Sequence, residues 1–278
     1  MSIRDLLHDA ADRLAAAGVD SARTDARILL AHAMGVSRED LIAATRQPTA
    51  EEAALFESFV TRRATREPVA YIRGRREFWS LDFKVGPGVL VPRPETETLI
   101  EQALAAFPNR NAALSIADLG AGSGALLIAA LKEFLHARGT GFERSPQALA
   151  CAEANLARHS LVARGKIIAA DWNEAEGPFD LILSNPPYIP TADIEGLDPD
   201  VRLYEPRAAL DGGTDGLDAY RALAKLLPRL LKPGGLALLE LGQGQVKQVE
   251  LLFQSLAVVR VAPDLAGIPR VLVLQDPK

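Results

Sequence analysis

The residues with the clearest chemical potential are Asn185, Pro186, Pro187 and Tyr188, which follow the apolar run FDLIL. Proline has no backbone N–H and a fixed φ, so this segment presents carbonyl oxygens in a rigid loop with few competing donors. The Asn185 side-chain oxygen and the Pro186 carbonyl could each accept one hydrogen of a planar –NH2 group, while Tyr188 covers its flat face. We therefore predict that these four residues form a catalytic site for a planar nitrogen.

A nitrogen of this kind is a poor nucleophile because its lone pair is delocalised into the neighbouring π system. A site can aim it at an electrophile, and can accept hydrogen bonds from N–H groups that acidify as charge develops in the transition state. Such positioning contributes up to roughly 7–11 kcal/mol. The electrophile should be a nucleoside ligand whose methyl group needs only in-line displacement, which predicts S-adenosylmethionine as the cofactor.

A glycine-rich turn follows the apolar run SIADL and begins 65 residues before Asn185. Its glycines allow dihedrals that side chains forbid, and the following helix start offers free N–H groups to a nucleotide-type ligand. The G-x-G-x-G spacing is not that of pyrophosphate binders, and no G-x-x-x-x-G-K is present, which disfavours NAD and ATP. A glycine-rich turn without a ligand remains the alternative. The predicted cofactor-binding residues here are Gly120, Ala121, Gly122, Ser123 and Gly124.

Three further residues are predicted to bind the cofactor. In doubly wound proteins an acidic residue about 20 positions after the glycine turn holds ribose hydroxyls, and Glu143 has this place. Asp171 and Trp172 follow the next strand-like run, and could accept from an exocyclic amine and pack on an adenine ring. Alternatively, Glu143 is a solvent-facing charge and Trp172 is ordinary packing. Gly139 and Gly141 make the segment before Glu143 a poor strand.

Composition limits the class of protein. The 278 residues carry 31 basic and 36 acidic side chains, which argues against affinity for nucleic acid by general positive charge. The single cysteine, Cys151, is expected to be buried in a helix, and the four histidines (His8, His32, His136 and His159) show no metal-ligand spacing, so no metal is predicted. A charged start and the lack of an apolar run of roughly 18 residues favour a cytoplasmic protein with no membrane partner.

Apolar periodicity predicts three regions. Residues 1–67 have the pattern of a small helical domain, with capping-box spacing at Thr49–Glu52. Residues 68–94 combine strand-like and Pro/Gly-rich stretches and predict a β-hairpin linker. In residues 95–278, short apolar runs alternate with helical stretches such as 125–139, which predicts an α/β fold with a doubly wound, mostly parallel, Rossmann-like sheet.

The two chemical motifs, ADLGAGSGA and SNPPYI, resemble those of amino-methyltransferases that modify exocyclic or amide nitrogens. A fuller set of motifs resembles the release factor glutamine methyltransferase family (PrmC/HemK) over nearly the whole chain. These motifs are AGVDSARTDARILLAHAMG, PVAYIRGRREFW, VLVPRPETETLIE, YEPRAALDGGTDGLDAYR and DLAGIPRV.

The resemblance implies methylation of the side-chain amide of the glutamine in the Gly-Gly-Gln loop of class I peptide chain release factors, with S-adenosylhomocysteine as the second product. It implies that residues 120–124, Glu143 and Trp172 bind the cofactor, and that Asn185 bridges cofactor and substrate while the rest of its tetrapeptide shapes the glutamine pocket. Residues 1–67 would recognise the release factor. A monomer without stable nucleic-acid binding is expected.

Two positions depart from the family pattern. Ala121 occupies a position that is often Thr, and Glu143 stands where Asp is usual, which affects the expected ribose contact rather than the class of cofactor. Three charged residues near the start of the last region could help to close the pocket, although the two glutamates suit a helix start equally well. These three are Arg93, Glu95 and Glu97.

Two other functions remain open at the level of sequence. Adenine and cytosine also offer a flat –NH2, so a DNA or RNA base methyltransferase is one alternative. Six arginines close together in the sequence favour it, although a solvated face or a protein partner surface explains them as well: Arg62, Arg63, Arg66, Arg73, Arg75 and Arg76. The other alternative is a non-catalytic protein that binds S-adenosylmethionine and keeps the methyltransferase fold.

Overall fold

The computed structural model describes residues 2–43 and 46–277. Its contacts divide the chain into a first unit, made of residues up to Arg75 together with Asp198–Tyr204, and a second unit, made of Arg76–Leu197 and the residues from Glu205 onward. Among the described residues, no helix combines the length and apolar character needed to span a bilayer.

The first unit is helical, as the apolar periodicity of residues 1–67 predicts. Its helices are α1 (Ile3–Ala16), α2 (Ala22–Ala33), α3 (Arg38–Ile42), α4 (Ala50–Ala64), α5 (Val69–Arg73) and α9 (Pro199–Tyr204). The Thr49 hydroxyl accepts from the Glu52 N–H and the Glu52 carboxylate accepts from the Thr49 N–H, which confirms the predicted capping box. Leu14, Leu29 and Val60 are fully buried, so the apolar stripes of the long helices share one core.

The second unit contains a seven-stranded sheet with helices between the strands, and a hairpin whose first residue, Arg75, is the last residue of the first segment of the first unit. The hairpin consists of β1 (Arg75–Phe78) and β2 (Leu81–Lys84). The sheet strands are β3 (Ser115–Leu119), β4 (Arg138–Glu143), β5 (Gly165–Ala169), β6 (Phe179–Ser184), β7 (Leu231–Glu240), β8 (Ala257–Pro263) and β9 (Pro269–Gln275). The helices are α6 (Glu97–Ala106), α7 (Ala125–Glu133), α8 (Pro146–Arg158), α10 (Asp218–Leu230) and α11 (Val246–Glu250).

The strand order is β5-β4-β3-β6-β7-β9-β8, with β3 to β7 parallel and β9 antiparallel to both β7 and β8. Apolar residues of α6, α7 and α8 cover one face, and those of α10 and α11 cover the other. This arrangement confirms the predicted doubly wound, mostly parallel sheet. Because the order reverses between β3 and β6, a crevice opens above the carboxyl ends of these two strands.

The structure differs from the sequence predictions in the region of β4. Helix α7 ends at Glu133 rather than at residue 139, and a regular strand follows from Arg138. A Cβ atom at Gly139 would lie 2.5 Å from Leu127 Cδ1, and one at Gly141 would lie 2.8 Å from Ile167 Cδ1. The two glycines that weaken the strand pattern therefore allow close packing of neighbouring side chains on this strand.

The elements that were not predicted include helix α5 and strand β8. Helix α5 lies inside residues 68–94, the range interpreted as a hairpin linker. Strand β8 was missed; it is an edge strand with mostly exposed side chains, so it lacks the buried pattern of the inner strands. The proposed domain bounds at 1–67, 68–94 and 95–278 stay predictions, with α9 grouped with the helical unit by contacts.

Candidate active site

The glycine-rich turn and the proline-rich loop begin at the same edge of the sheet. Strands β3 and β6 are parallel neighbours, with Asp118 opposite Leu183. The chain continues from β3 into Gly120 and from β6 into Asn185, so both loops lie where the strand order reverses. Open α/β sheets bind ligands at this position.

The glycine-rich turn has a backbone that only glycine adopts readily. Gly120, Gly122 and Gly124 have φ values of +83°, +57° and +80°. The N–H of Gly120 donates to the Phe142 carbonyl over 3.0 Å, which ties the turn to the end of β4. A Cβ atom at Gly120 would lie 3.3 Å from the Trp172 ring, so the turn also requires glycine for this close approach.

A cavity lies above this turn. Seven predicted residues line it: Gly120, Gly122, Glu143, Asp171, Trp172, Asn185 and Pro187. Eleven further residues line it that were not predicted: Gly88, Leu90, Phe142, Arg144, Ser145, Ala148, Ala170, Pro206, Ala208, Ala209 and Asp211. A Cβ atom at Gly122 would meet no heavy atom within 4 Å, so the backbone of this glycine faces open space.

The Glu143 carboxylate is held at the end of β4 by two backbone donors. Its Oε2 accepts from the Gly122 N–H over 2.9 Å, and its Oε1 accepts from the Ser145 N–H over 2.7 Å. Each carboxylate oxygen has two acceptor sites, so both retain capacity for a ligand hydroxyl. The carboxylate is therefore oriented beside the glycine turn rather than solvent-facing.

Asp171 and Trp172 lie at the start of a short 3-10 helix, Trp172–Glu174, that follows β5. The Asp171 side chain accepts from the Asn173 N–H over 3.0 Å and lies 3.5 Å from the Arg144 guanidinium. Asp171 therefore has a structural role as a helix cap in addition to its place in the cavity wall. Trp172 packs beside Gly120 and presents part of its indole ring to the cavity.

Two side chains of the proline-rich loop connect to residues outside it. The Asn185 Nδ2 donates to Thr96 Oγ1 over 3.2 Å, and the Tyr188 hydroxyl donates to the Glu240 carboxylate over 3.2 Å. Burial raises the pKa of Tyr188, and the nearby Glu240 raises it further, so the phenol stays protonated. Asn185 lines the cavity, and its other amide atom, Oδ1, takes no part in the contact with Thr96.

The backbone of the same loop is braced by two neighbouring loops. Gln245 Nε2 donates to the Tyr188 carbonyl over 2.9 Å, and the Gly212 N–H donates to the Ile189 carbonyl over 2.8 Å. A Cβ atom at Gly212 would lie 2.9 Å from the Pro187 carbonyl oxygen, so this approach also requires glycine. The path of the loop is therefore fixed from outside as well as by its prolines.

Five predicted site residues do not line the cavity. Ala121, Ser123 and Pro186 are buried beside it, Gly124 begins helix α7, and Tyr188 points to Glu240. These residues contribute to the shape of the two loops without lining the cavity. The three charged residues suggested to close the pocket are also absent from its lining; Glu97 starts α6 and accepts from the Trp79 N–H.

Three buried polar residues near the loops were missed by sequence reasoning: Asp118, Thr96 and Glu240. Burial raises the pKa of Asp118 to about 7 and that of Glu240 to about 7. Asp118 Oδ2 accepts from the Leu127 N–H over 3.2 Å, and its Oδ1 has no hydrogen-bond partner among the described residues. A carboxylate at the end of an otherwise apolar strand, as in SIADLG and LALLELG, is the sequence signal that could have identified two of them.

Three of the six clustered arginines are used inside the helical unit. Arg62 pairs with Glu67, and the buried Arg63 contacts Asp25 and Asp200 over 2.8 and 2.6 Å. Arg66 contacts Asp198 and Asp200, in each case over 2.6 Å. Arg63 and Arg66 therefore connect the end of α4 to the start of α9 within this unit, and Arg62 is paired with the segment that follows α4.

The remaining candidates have structural surroundings. Cys151 is buried, as predicted, and burial raises the pKa of its thiol. His32 stacks on Phe59, and His159 packs against Phe83, in agreement with packing roles.

Two families of protein domains match the chain by sequence. The PrmC N-terminal domain matches residues 5–74, and the methyltransferase small domain matches residues 96–196. The release factor glutamine methyltransferase of Caulobacter vibrioides is 46% identical over 95% of this chain and 93% of its own length. That of Geobacter sulfurreducens is 45% identical over 98% of this chain and 95% of its own length.

Solved structures with a similar fold include a ribosomal protein L11 methylase from Lactobacillus delbrueckii subsp. bulgaricus. Its TM-score is 0.52 at 18% identity, over 70% of this chain and 86% of its own. This likeness supports a methyltransferase-type fold.

Proposed function

The chain belongs to the release factor glutamine methyltransferase family, and we propose that Asn185–Tyr188 and the cavity beside them are where it performs this chemistry. It is an S-adenosylmethionine-dependent enzyme that methylates the side-chain amide nitrogen (N5) of glutamine in the Gly-Gly-Gln motif of class I peptide chain release factors. The observation that carries the site assignment is that one cavity is lined by both Gly122 and Asn185.

The cavity residues fit S-adenosylmethionine. Gly122 leaves open the space that a side chain would fill, which suits a ligand lying against the backbone of the turn. The held Glu143 carboxylate suits ribose hydroxyls, and the Trp172 ring suits an adenine face. When bound, the cofactor supplies an electrophilic methyl group on a sulfonium centre.

The loop residues would then orient the glutamine amide. Asn185 Oδ1 and the Pro186 carbonyl oxygen each accept one hydrogen of the substrate –NH2, which aims the nitrogen into the cavity. Among the described residues no backbone N–H donates to the Pro186 carbonyl, so this acceptor remains available. As the nitrogen gains positive charge its N–H groups become better donors, and both hydrogen bonds strengthen in the transition state.

Recognition of a whole release factor is assigned to the predicted helical domain, residues 1–67. Internal pairing of Arg62, Arg63 and Arg66 leaves less free positive charge there for nucleic acid, in line with a protein substrate. We extend the proposal to a cytoplasmic monomer that does not bind nucleic acid stably.

Mass spectrometry of the release factor's Gly-Gly-Gln peptide tests the proposal. The purified protein is incubated with S-adenosylmethionine and a class I release factor, in parallel with Asn185→Ala and with Asn111→Ala, which changes an exposed asparagine on the surface. Wild type and Asn111→Ala should add one CH2 to the glutamine, and Asn185→Ala should be slower by about 100-fold or more. An unmodified glutamine with wild type would refute the function, and equal methylation by Asn185→Ala would refute the role of Asn185.

A further inference from the structure

Glu240 and Thr96 form a buried polar chain behind the proline-rich loop. Glu240 is the last residue of β7 and is 1% exposed, and Thr96 precedes α6 and is 6% exposed. Thr96 Oγ1 donates to Glu240 Oε2 over 2.6 Å and accepts from Asn185 Nδ2 over 3.2 Å. The other oxygen of Glu240, Oε1, accepts from the Tyr188 hydroxyl over 3.2 Å. One carboxylate thus reaches both polar side chains of the loop.

The direction of these hydrogen bonds follows from the chemistry of the groups. An ionised carboxylate only accepts, so the Thr96 hydroxyl must give its single proton to Glu240. The hydroxyl then has only lone pairs to offer Asn185, and it accepts from the amide nitrogen. If the amide were flipped, two oxygens would face each other without a proton between them, which is unfavourable.

We propose that Thr96 and Glu240 are positioning residues that lock the Asn185 amide with its nitrogen turned inward and its Oδ1 available to the substrate amide. This inference rests on the proposed function, because it assigns a purpose to the orientation of Asn185. Asn and Gln side chains carry both a donor and an acceptor, and a free amide could present either one to the cavity. Only the acceptor can bind the –NH2 of a glutamine.

The cost of burying Glu240 supports a role of this kind. Its side chain has hydroxyl partners, and a buried carboxylate without a close cation is expensive unless its hydrogen bonds are well made. Burial raises the pKa of Glu240 to about 7, while the hydrogen bond from Thr96, the positive charge of Arg270 and the hydrogen bond from Tyr188 oppose the rise and Glu95 adds to it. Near neutral pH the carboxyl is therefore close to gaining a proton.

Protonation of Glu240 would allow the hydrogen bonds of this buried polar chain to change direction. The carboxyl would then carry its own O–H donor, and the Thr96 hydroxyl could turn its proton toward Asn185. The Asn185 amide would lose its fixed orientation. Turnover should therefore fall as the pH decreases through about 7, where Glu240 takes up its proton.

The test compares two substitutions at one position. Thr96→Val keeps the shape and removes the hydroxyl, whereas Thr96→Ser keeps the hydroxyl. We expect Thr96→Val to lower kcat about tenfold, since one net hydrogen bond is worth about that factor, and Thr96→Ser to restore most of it. The affinity for S-adenosylmethionine should stay unchanged in both, because Thr96 does not line the cavity.

A second pair of variants separates orientation from stability. Glu240→Gln introduces a donor in place of an acceptor, and should lower kcat and remove the pH dependence of turnover near neutrality. Tyr220→Phe is the matched control, because the Tyr220 hydroxyl donates to the Glu240 backbone carbonyl over 2.7 Å and not to its side chain. It should lower the melting temperature while leaving kcat and its pH profile as in wild type.

Two results would overturn the inference. One is an equal loss of kcat in Thr96→Val and Thr96→Ser, and the other is a wild-type pH profile and kcat in Glu240→Gln. Both are read against a wild-type enzyme that methylates the release factor, so they leave the proposed function intact. Failure of wild type itself would instead refute the function.

Discussion

Replacing Asp118 with asparagine should change how the stability of the protein depends on pH. Asp118 is fully buried at the end of β3, with one hydrogen bond from the Leu127 N–H to its Oδ2. Burial is the main cause that raises its pKa from 3.8 to about 7, and the charge of Glu143 adds to the rise. Asparagine keeps the shape of the side chain and an oxygen that can accept from the Leu127 N–H, but it has no titratable proton.

The magnitude follows from the proton balance. Between pH 4 and 7 the unfolded chain has released the Asp118 proton and the folded protein still holds it, so the folded state binds more protons. The free energy of unfolding then falls by about 1.4 kcal/mol per pH unit as the pH rises through this window. From about pH 5 to about pH 7 the loss is roughly 3 kcal/mol, and above the folded pKa it levels off.

Urea unfolding of wild type and Asp118→Asn at several pH values between about 5 and 8 measures this difference. The stability of wild type relative to the variant should fall by roughly 3 kcal/mol across the range. Glu240 also has a raised pKa, and His32 and His159 have lowered ones, but all three are present in both proteins and cancel in the difference. Stability curves that run parallel over the whole range would refute the buried, protonated state of Asp118.

Two other substitutions test the cofactor loop and the helical unit. Gly120→Ala should weaken S-adenosylmethionine binding about tenfold in calorimetry, because the backbone conformation at φ +83° costs a residue with a side chain about 1–2 kcal/mol. The control Gly196→Ala should bind the cofactor normally, because a Cβ atom at Gly196 meets only open space. Arg63→Ala should lower the free energy of unfolding by about 3–5 kcal/mol in thermal or urea unfolding, because it leaves Asp25 buried without its cation. Arg13 lies on the surface and pairs with Glu57, so Arg13→Ala should lower the free energy of unfolding by less than about 1 kcal/mol. Equal losses of stability in Arg63→Ala and Arg13→Ala would contradict this account.

The placement of the two loops was predictable because local signals and sheet geometry agree. The prolines after Asn185 mark the end of β6, and Gly120 marks the end of β3. Because the two strands are parallel neighbours, both ends lie at one edge of the sheet. Glu143 was predictable only by its spacing, since Gly139 and Gly141 argue against a strand. Packing against Leu127 and its neighbours outweighs that local preference, and such tertiary effects have no signature in a short window of sequence.

The cavity walls were the least predictable part. Gly88 and Leu90 come from the segment interpreted as a linker, and Pro206 and Ala208 come from a loop after the proline-rich segment. None of the four is a residue type that indicates binding. Their place in the cavity depends on the path of long connections, which side-chain periodicity does not determine.

The chemistry of the proline-rich loop also depends on residues distant in sequence. Prolines remove backbone donors from the loop, but Asn185 carries two N–H donors of its own, so a loop of acceptors requires that this amide face in one direction only. Thr96 lies 89 residues before Asn185 and takes its amide N–H, and Glu240 lies 144 residues beyond Thr96 and takes the Thr96 proton. Under the proposed function, the acceptor for the glutamine amide therefore arises from three strand or helix ends that meet only in the folded sheet. On this proposal, the need for a fixed acceptor is the reason why a carboxylate remains buried there in spite of its cost in stability.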